Sequence, residues 1–125
     1  MMKTVQSLED LCVPEKHSDF LAAFLNNASK IPNRKKIERL VLFGSCARGN
    51  ATDKSDIDIV AIGKDIDDDT LWQLYDCAPP YVPGQYVKND IIAMTNSLFE
   101  EHIASFGKIQ KYIAKEGVDL SGLLR

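Results

Sequence analysis

The chain has 125 residues, 45% hydrophobic and 26% charged, which is the length and composition of one folded domain and excludes a disordered segment. Its 15 basic and 18 acidic side chains give a formal net charge of -3, so no basic footprint is evident and a nucleic-acid substrate is disfavoured. Three scattered cysteines argue against a disulfide framework and favour the cytoplasm. We expect no signal peptide, because the first residues have no apolar leader, and no membrane span, because no apolar run reaches about 18 residues.

Apolar residues at helical spacing predict a first helix near the start of the chain. Ser18 is its candidate N-cap, and Asp19 would lie in its first turn. The apolar face of this helix consists of Phe20, Leu21, Phe24 and Leu25. His17 has no metal-ligand spacing and is expected at the surface or at the boundary of the core.

Three further apolar runs predict strands that polar segments separate. The runs are Ile37–Phe43, Ile57–Ile62 and Tyr86–Met94. A short helix is expected to begin at Ser45, directly after the first run. Another helix is expected over Thr70–Cys77, and the acidic stretch Asp65–Asp69 is expected to cap it and to charge its first turn.

A capping box formed by Ser97 and Glu100 predicts the start of the last helical region, which would end at Glu116 before Gly117. Its predicted apolar face is Phe99, Ile103, Phe106, Ile109 and Ile113. Because Gly107 interrupts that face, one kinked helix and two separate helices both fit the pattern.

The predicted elements follow the order α-β-α-β-α-β-α, which is typical of an α/β (α+β) fold in which helices cover one small mixed β-sheet. Residues 18–117 would form this domain. Residues 1–17 would be an N-terminal extension, and residues 118–125 a short C-terminal tail.

Two carboxylates at the start of the second predicted strand have the spacing of a metal site. Asp56 and Asp58 are two residues apart, so both project from one face of the strand, while Ile57 and Ile59 face a core. Neighbouring carboxylates repel each other unless a cation lies between them. Such oxygen ligands suit Mg²⁺, with Mn²⁺ as the alternative, and a pair of ions would orient an attacking and a leaving oxygen.

Gly44 and Ser45 follow the first predicted strand and would supply the complementary half of the site. A glycine after a strand allows close approach to a phosphate, and the Ser45 hydroxyl adds a donor. Arg48, one helical turn later, would neutralise phosphate charge. The alternative for Arg48 is a solvated helix residue.

Asp90 is a candidate third carboxylate because it lies in the third predicted strand, where an acid is costly unless it has a partner. If that strand neighbours the second, Asp90 would join the pair as a metal ligand and as the base that activates an acceptor hydroxyl. The alternative is an acid at a strand end that faces solvent.

These residues resemble the minimal nucleotidyltransferases of the DNA polymerase beta-like superfamily. The resemblance covers residues 20–117 and departs from the family at Cys46 and in the short helix after the second strand. It is carried by Gly44, Ser45, Asp56, Asp58 and Asp90, with Ser55, the run Ala47-Arg48-Gly49 and the ending Ile113-Ala114-Lys115-Glu116-Gly117.

The resemblance implies a polymerase beta-like palm fold and transfer of a nucleoside monophosphate from a nucleoside triphosphate to a hydroxyl. In small members it implies transfer of AMP from ATP to a tyrosine of a partner ribonuclease toxin of the HEPN type, with this chain as the MNT-type antitoxin. The short chain leaves little material for an acceptor pocket, so the partner or a second copy would complete it. The alternatives are an interaction module that binds nucleotide without turnover and a small-molecule adenylyltransferase of the aminoglycoside-modifying kind.

Overall fold

The computed structural model describes residues 2–103, 105 and 107–124. Its strands are β1 (Lys3–Thr4), β2 (Arg39–Phe43), β3 (Ile57–Gly63), β4 (Asn89–Thr95) and β5 (Val118–Asp119). Its α-helices are α1 (Glu15–Ala28), α2 (Ser45–Arg48), α3 (Asp68–Tyr75), α4 (Asn96–Glu101) and α5 (Ile109–Glu116). Helices that cover one mixed sheet confirm the predicted fold class.

The strands form one sheet in the order β1-β5-β2-β3-β4. β3 lies between β2, to which it is antiparallel, and β4, to which it is parallel. The register places Phe43 opposite Asp58, and Asp58 opposite Asp90. The end of β2 and the starts of β3 and β4 therefore meet at one edge of the sheet.

Alternating side chains of β3 enter two separate cores. Ile57 and Ile59 are fully buried in a core that they share with α1 and α3. Val60 and Ile62 are fully buried in a second core on the other face, which also contains Val41, Met94, Phe99 and Ile113. Asp58 lies two residues before Val60, so its side chain projects on the face that α4 and α5 cover.

Both ends of the described chain join the sheet, which the sequence did not predict. β1 pairs in parallel with β5, and β5 pairs antiparallel with β2. Strands of two residues are too short to produce a period-two pattern, so neither could be recognised. Leu120 and Leu124, which follow β5, are buried in the core on the α1 face. The segments predicted as an extension and a tail thus contribute to the sheet and the core.

Two predicted helix starts were wrong. Helix α1 begins at Glu15 with Pro14 as its N-cap residue, so Ser18 lies inside the helix. Proline suits a helix start because its missing N–H would have no partner there. Helix α4 begins directly after β4, and its N-cap is Thr95, whose side chain accepts a hydrogen bond from the backbone N–H of Leu98. Ser97 is therefore already helical.

The last helical region forms two helices, which is one of the two arrangements that Gly107 left open. Gly107 has a φ of +80° and lies between the end of α4 and the start of α5. Phe106, assigned to the apolar face, lies outside the described residues. Phe99 and Ile113 are buried as predicted, whereas Ile109 is 42% exposed. Two helices present their faces separately, so the predicted continuous apolar face does not form.

The acidic stretch before α3 caps that helix, as the sequence predicted. The Asp67 side chain accepts a hydrogen bond from the backbone N–H of Thr70, and Asp68 and Asp69 lie in the first turn. A hydrogen bond from Lys36, together with those from Thr70, holds the pKa of Asp67 below its ordinary value. Across the part of the chain that the structure describes, no helix is long and apolar enough to cross a membrane.

Candidate active site

The parallel register of β3 and β4 brings two of the candidate carboxylates side by side. Asp58 of β3 is the register partner of Asp90 of β4, and paired residues of adjacent strands present their side chains on the same face. Both line a cavity of about 390 Å³ at this edge of the sheet. The structure therefore places Asp58 and Asp90 at one site, where their catalytic roles stay predictions.

Gly44 follows β2, and its backbone lies directly beside the Asp58 side chain. Its φ of 77° and ψ of -158° lie in a region that is essentially restricted to glycine. A Cβ atom on Gly44 would lie 2.5 Å from Oδ2 of Asp58. Because glycine has no side chain, the backbone passes beside the carboxylate before it enters α2 at Ser45.

The cavity is lined by residues of two chemical kinds. Its polar residues are Gly44, Arg48, Asp58, Asp90 and Glu116. Its apolar residues are Phe43, Ile92, Ile109 and Tyr112. Sheet residues supply the floor, and α5 supplies much of the wall. Apolar walls with a few convergent polar groups are characteristic of small-molecule sites.

Burial and the neighbouring charges disfavour the ionised form of the Asp58 side chain. Burial raises the pKa of its carboxyl above the ordinary value, and the neighbouring carboxylates of Asp56 and Asp90 raise it further. The cationic side chains of Arg48 and Lys88 oppose this shift. Since desolvation and like charge outweigh the cations, a bound cation would be stabilised beside Asp58.

Asp56 lies just before β3 and is paired differently from Asp58. Its Oδ2 atom lies 3.9 Å from Nζ of Lys88, and the lysine side chain is 74% exposed. An exposed pair at this distance stabilises weakly, so Lys88 can leave Asp56 at little cost. Lys88 was not singled out from the sequence, although it lies two residues before Asp90 and so at the spacing that shares a strand face.

Arg48 is bound to a second helix rather than free in solvent. Its Nη1 atom lies 3.1 Å from Oε2 of Glu116, so the ion pair joins α2 to the end of α5 across the cavity. Its predicted contact with a phosphate stays a prediction. Glu116 appeared in the sequence only as part of a helix ending, and only the fold shows that it faces this site.

Cys46 is buried in α2, and its Sγ atom lies 3.4 Å from the carbonyl oxygen of Asp56. Burial, with the added charge of Asp58 and Asp56, raises the pKa of this thiol to about 11. The thiol is therefore protonated at neutral pH, where it packs and donates rather than acting as a nucleophile.

His17 is a residue of the site region that the sequence placed wrongly. It is fully buried, and its Nε2 atom lies 2.7 Å from the carbonyl oxygen of Ser55, the residue before Asp56. Since a carbonyl only accepts, Nε2 carries the proton. Nδ1 is buried and has no hydrogen-bond partner among the described residues. The helical spacing of His17 relative to Phe20 and Leu21 was the signal that could have placed it in the core.

We expect His17→Leu to lower stability by about 1–3 kcal/mol, because the Ser55 carbonyl would lose its donor in a partly buried place. His17→Gln should recover much of this loss, since its amide can also donate. Thermal or urea unfolding of both variants measures the difference. Equal stability of the two variants would show that packing alone, and not the hydrogen bond, is what His17 contributes.

The donor set at this edge fits a hard divalent cation. Asp58 and Asp90 offer carboxylate oxygens with incompletely neutralised charge, which Mg²⁺ and Mn²⁺ prefer. Among the described residues, no three His, Cys, Asp or Glu side chains converge closely enough to form a metal centre. The assignment of Asp56, Asp58 and Asp90 as one ligand set therefore stays a prediction.

Two known proteins resemble this chain in sequence or in fold. A Methanocaldococcus jannaschii protein provisionally named a protein adenylyltransferase, MJ0604, is 51% identical over 48 residues. This match covers 38% of the chain and 47% of the relative, so it spans about half of that protein's length. A Sulfolobus solfataricus crystal structure, provisionally described as a nucleotidyltransferase, matches with a TM-score of 0.39 and 19% identity over 85% of this chain and 86% of the other.

The family described as "Polymerase beta, Nucleotidyltransferase" matches residues 26–118. That range contains Gly44, Ser45, Asp56, Asp58 and Asp90. It covers well over half of the chain, which confirms the resemblance and the enzyme class predicted from the sequence. The chain belongs to the polymerase beta nucleotidyltransferase family.

Proposed function

We propose that this protein is a Mg²⁺-dependent enzyme that transfers AMP from ATP to a hydroxyl group. The observation that carries the proposal is the contact of Gly44 with Asp58, which lies beside Asp90 in one cavity. A backbone without a side chain at this contact leaves room for a phosphate chain beside the carboxylates. The family to which the chain belongs supports nucleotidyl transfer as the reaction.

Each residue of the site has a distinct role in this reaction. Asp56, Asp58 and Asp90 would hold Mg²⁺, which supplies charge neutralisation for the triphosphate when bound. Asp90 would also accept the proton of the acceptor hydroxyl. The hydroxyl oxygen forms a bond to the α-phosphorus, the bond from that phosphorus to the bridging oxygen breaks, and pyrophosphate leaves. Gly44, Ser45 and Arg48 would bind the phosphate chain, and Arg48 would have to leave Glu116 to do so.

A protein hydroxyl is the acceptor that we favour, and a tyrosine of a HEPN-type toxin in the same cytoplasm is the specific candidate. The cavity that Asp90 lines is open and of modest size. A partner that carries the hydroxyl would supply the missing wall. The name of the Methanocaldococcus jannaschii relative, which specifies a protein acceptor, agrees with this proposal.

A second candidate function is nucleotide binding without turnover, in an antitoxin that acts by contact. It is favoured by the pairing of Asp56 with Lys88 and of Arg48 with Glu116. In this arrangement Asp56, assigned to metal binding, and Arg48, assigned to phosphate binding, each have an oppositely charged partner within the protein. Small-molecule adenylylation is less favoured, because the name of the Methanocaldococcus jannaschii relative specifies a protein acceptor.

The test of the acceptor is incubation of the purified protein, Mg²⁺ and α-labelled ATP with lysate from its source organism. We expect label in one protein band, on a tyrosine that mass spectrometry can assign. The Asp56→Asn/Asp58→Asn variant is the control and should give no band. Label found only in small molecules would contradict the protein acceptor. Neutralisation of a toxin by the double variant would favour the contact mechanism.

A further inference from the structure

The apolar wall of the cavity is not used by any role assigned above. Ile109 and Tyr112 of α5 are 42% and 47% exposed, and both line the cavity. They face a recess whose floor includes Phe43 and Ile92. Large apolar side chains that remain exposed in a recess beside charged groups indicate a site where a ligand binds and covers them. The wall therefore fits a ligand group that is apolar and small enough for the recess.

Residues on one stripe of α5 line the cavity, and a residue that borders this stripe anchors the helix. Ile109, Tyr112 and Glu116 are three and four residues apart, so they lie along one stripe. Ile113 follows Ile109 by four residues and therefore borders this stripe, and it is fully buried in the core that packs on β2 and β3. The cavity wall thus continues directly into the core that holds the helix in place.

A further contact fixes the position of α5. A Cβ atom on Gly117 would lie 2.6 Å from Cγ1 of Val41, so the end of the helix lies directly on β2. A wall that is held in place before a ligand arrives loses little conformational freedom on binding.

We propose that Ile109 and Tyr112 form the platform on which the base of the nucleoside triphosphate lies. This inference rests on the proposed function, since it takes a nucleotide as the substrate. A nucleotide combines a charged chain, which suits the carboxylates of Asp58 and Asp90, with a flat apolar ring, which suits Ile109 and Tyr112 of α5. Bases of every kind have an aromatic face, so the platform supplies affinity rather than choice among bases.

The position of the wall favours the base over a protein acceptor as its occupant. The wall and the carboxylates belong to one cavity of about 390 Å³, which is in the range of small-ligand sites. A tyrosine of a folded partner would instead be presented by that partner's surface at the open mouth. An acceptor tyrosine on the wall is the competing occupant, and the experiment below separates the two.

The test measures binding of Mg-ATP and of inorganic triphosphate with Mg²⁺ to the full chain by calorimetry. We expect Tyr112→Ala to weaken ATP binding about tenfold, because it removes one aromatic contact with the base. Binding of inorganic triphosphate should not change. Tyr112→Phe keeps the ring and should bind ATP as the unmodified protein does. Tyr75→Ala is the matched control, because Tyr75 is 43% exposed on α3, outside this cavity.

Each of the other outcomes would contradict the proposal that Ile109 and Tyr112 form a platform for the base. Unchanged ATP binding by folded Tyr112→Ala would show that the base lies elsewhere, and the wall would then be free for an acceptor. Equal weakening of ATP and triphosphate would show that Tyr112 supports the phosphate side or the fold. If the unmodified protein binds triphosphate as tightly as ATP, no base subsite exists. If it binds neither, the proposed function itself fails.

Discussion

The Asp58→Asn variant should lose nucleotidyl transfer by on the order of 10³-fold while its melting temperature stays equal or rises. The loss is expected because a neutral amide cannot replace the carboxylate that lies between Gly44 and Asp90. The higher melting temperature is expected because burial and neighbouring carboxylates raise the pKa of Asp58. The charged carboxylate therefore destabilises the folded protein, and a neutral amide does not. Opposite changes in activity and stability are typical of functional sites.

The pH dependence of the stability gained in Asp58→Asn follows from the direction of the pKa shift of Asp58. A carboxyl with a raised pKa in the folded state stabilises the fold when it is protonated, below its unfolded-state pKa. That stabilisation is lost as pH rises through the folded-state pKa. The stability advantage of Asp58→Asn should therefore be largest at neutral pH and should shrink as the solution is acidified.

Calorimetric melts and transfer rates over a range of pH test both parts of this prediction. Asp53→Asn is the control, since Asp53 is an exposed acid in the loop before β3 and should change neither quantity. A destabilised Asp58→Asn variant would show that Asp58 holds the fold together. Retained transfer would remove Asp58 from the reaction.

The Gly44→Ala variant should lose at least about 100-fold in transfer and about 1–3 kcal/mol in stability. Two causes act together. The backbone of Gly44 lies in a region that alanine rarely adopts, and the new methyl carbon would lie 2.5 Å from the Asp58 carboxylate. The carboxylate or the turn must move, and either movement changes the place where a phosphate would lie.

Gly84→Ala separates these two causes. Gly84 also has a positive φ, +82°, but a Cβ atom there has no neighbour within 4 Å. It should therefore lose stability and keep its transfer rate. If both variants lose activity equally, backbone strain explains the effect and the contact with Asp58 does not. If Gly44→Ala transfers normally, the close approach has no role in catalysis.

The meeting of Asp58 and Asp90 could be predicted from the sequence because these residues lie at defined positions in strongly apolar strands. Asp56 and Asp58 flank the buried Ile57, so the strand itself defines their side of the sheet. Asp90 was recognisable as an acid within an apolar run, and the structure leaves it exposed near the start of β4, as the solvent-facing alternative also predicted. The neighbouring positions of β3 and β4 then brought Asp58 and Asp90 together.

The remaining contacts could not be predicted because they join segments far apart in the chain. His17 meets Ser55, and Arg48 meets Glu116, through packing of helices on the sheet. No periodicity of a single segment contains this information. The short strands β1 and β5 were missed for a different reason, since two residues carry no pattern and their pairing depends on the rest of the sheet.

The apolar wall shows how a correct pattern can be interpreted wrongly. Ile109 and Ile113 were predicted on one apolar face, but only Ile113 is buried. Ile109 lies in the first turn of α5 and lines the cavity, whereas Ile113, one turn later, packs in the core on β2 and β3. An apolar residue at helical spacing indicates a surface that another group covers. We propose that the base of the nucleotide covers this surface.

Incubation with α-labelled or with γ-labelled ATP, in the presence of Mg²⁺ and source lysate, distinguishes nucleotidyl transfer from phosphoryl transfer. Nucleotidyl transfer predicts label on the acceptor only from α-labelled ATP, release of the γ-label in pyrophosphate, and loss of both with Asp56→Asn/Asp58→Asn. Label on an acceptor from γ-labelled ATP would mean phosphoryl transfer and would contradict the account. Unchanged label with the folded double variant would contradict it equally, because the carboxylates beside Gly44 would then have no part in the reaction.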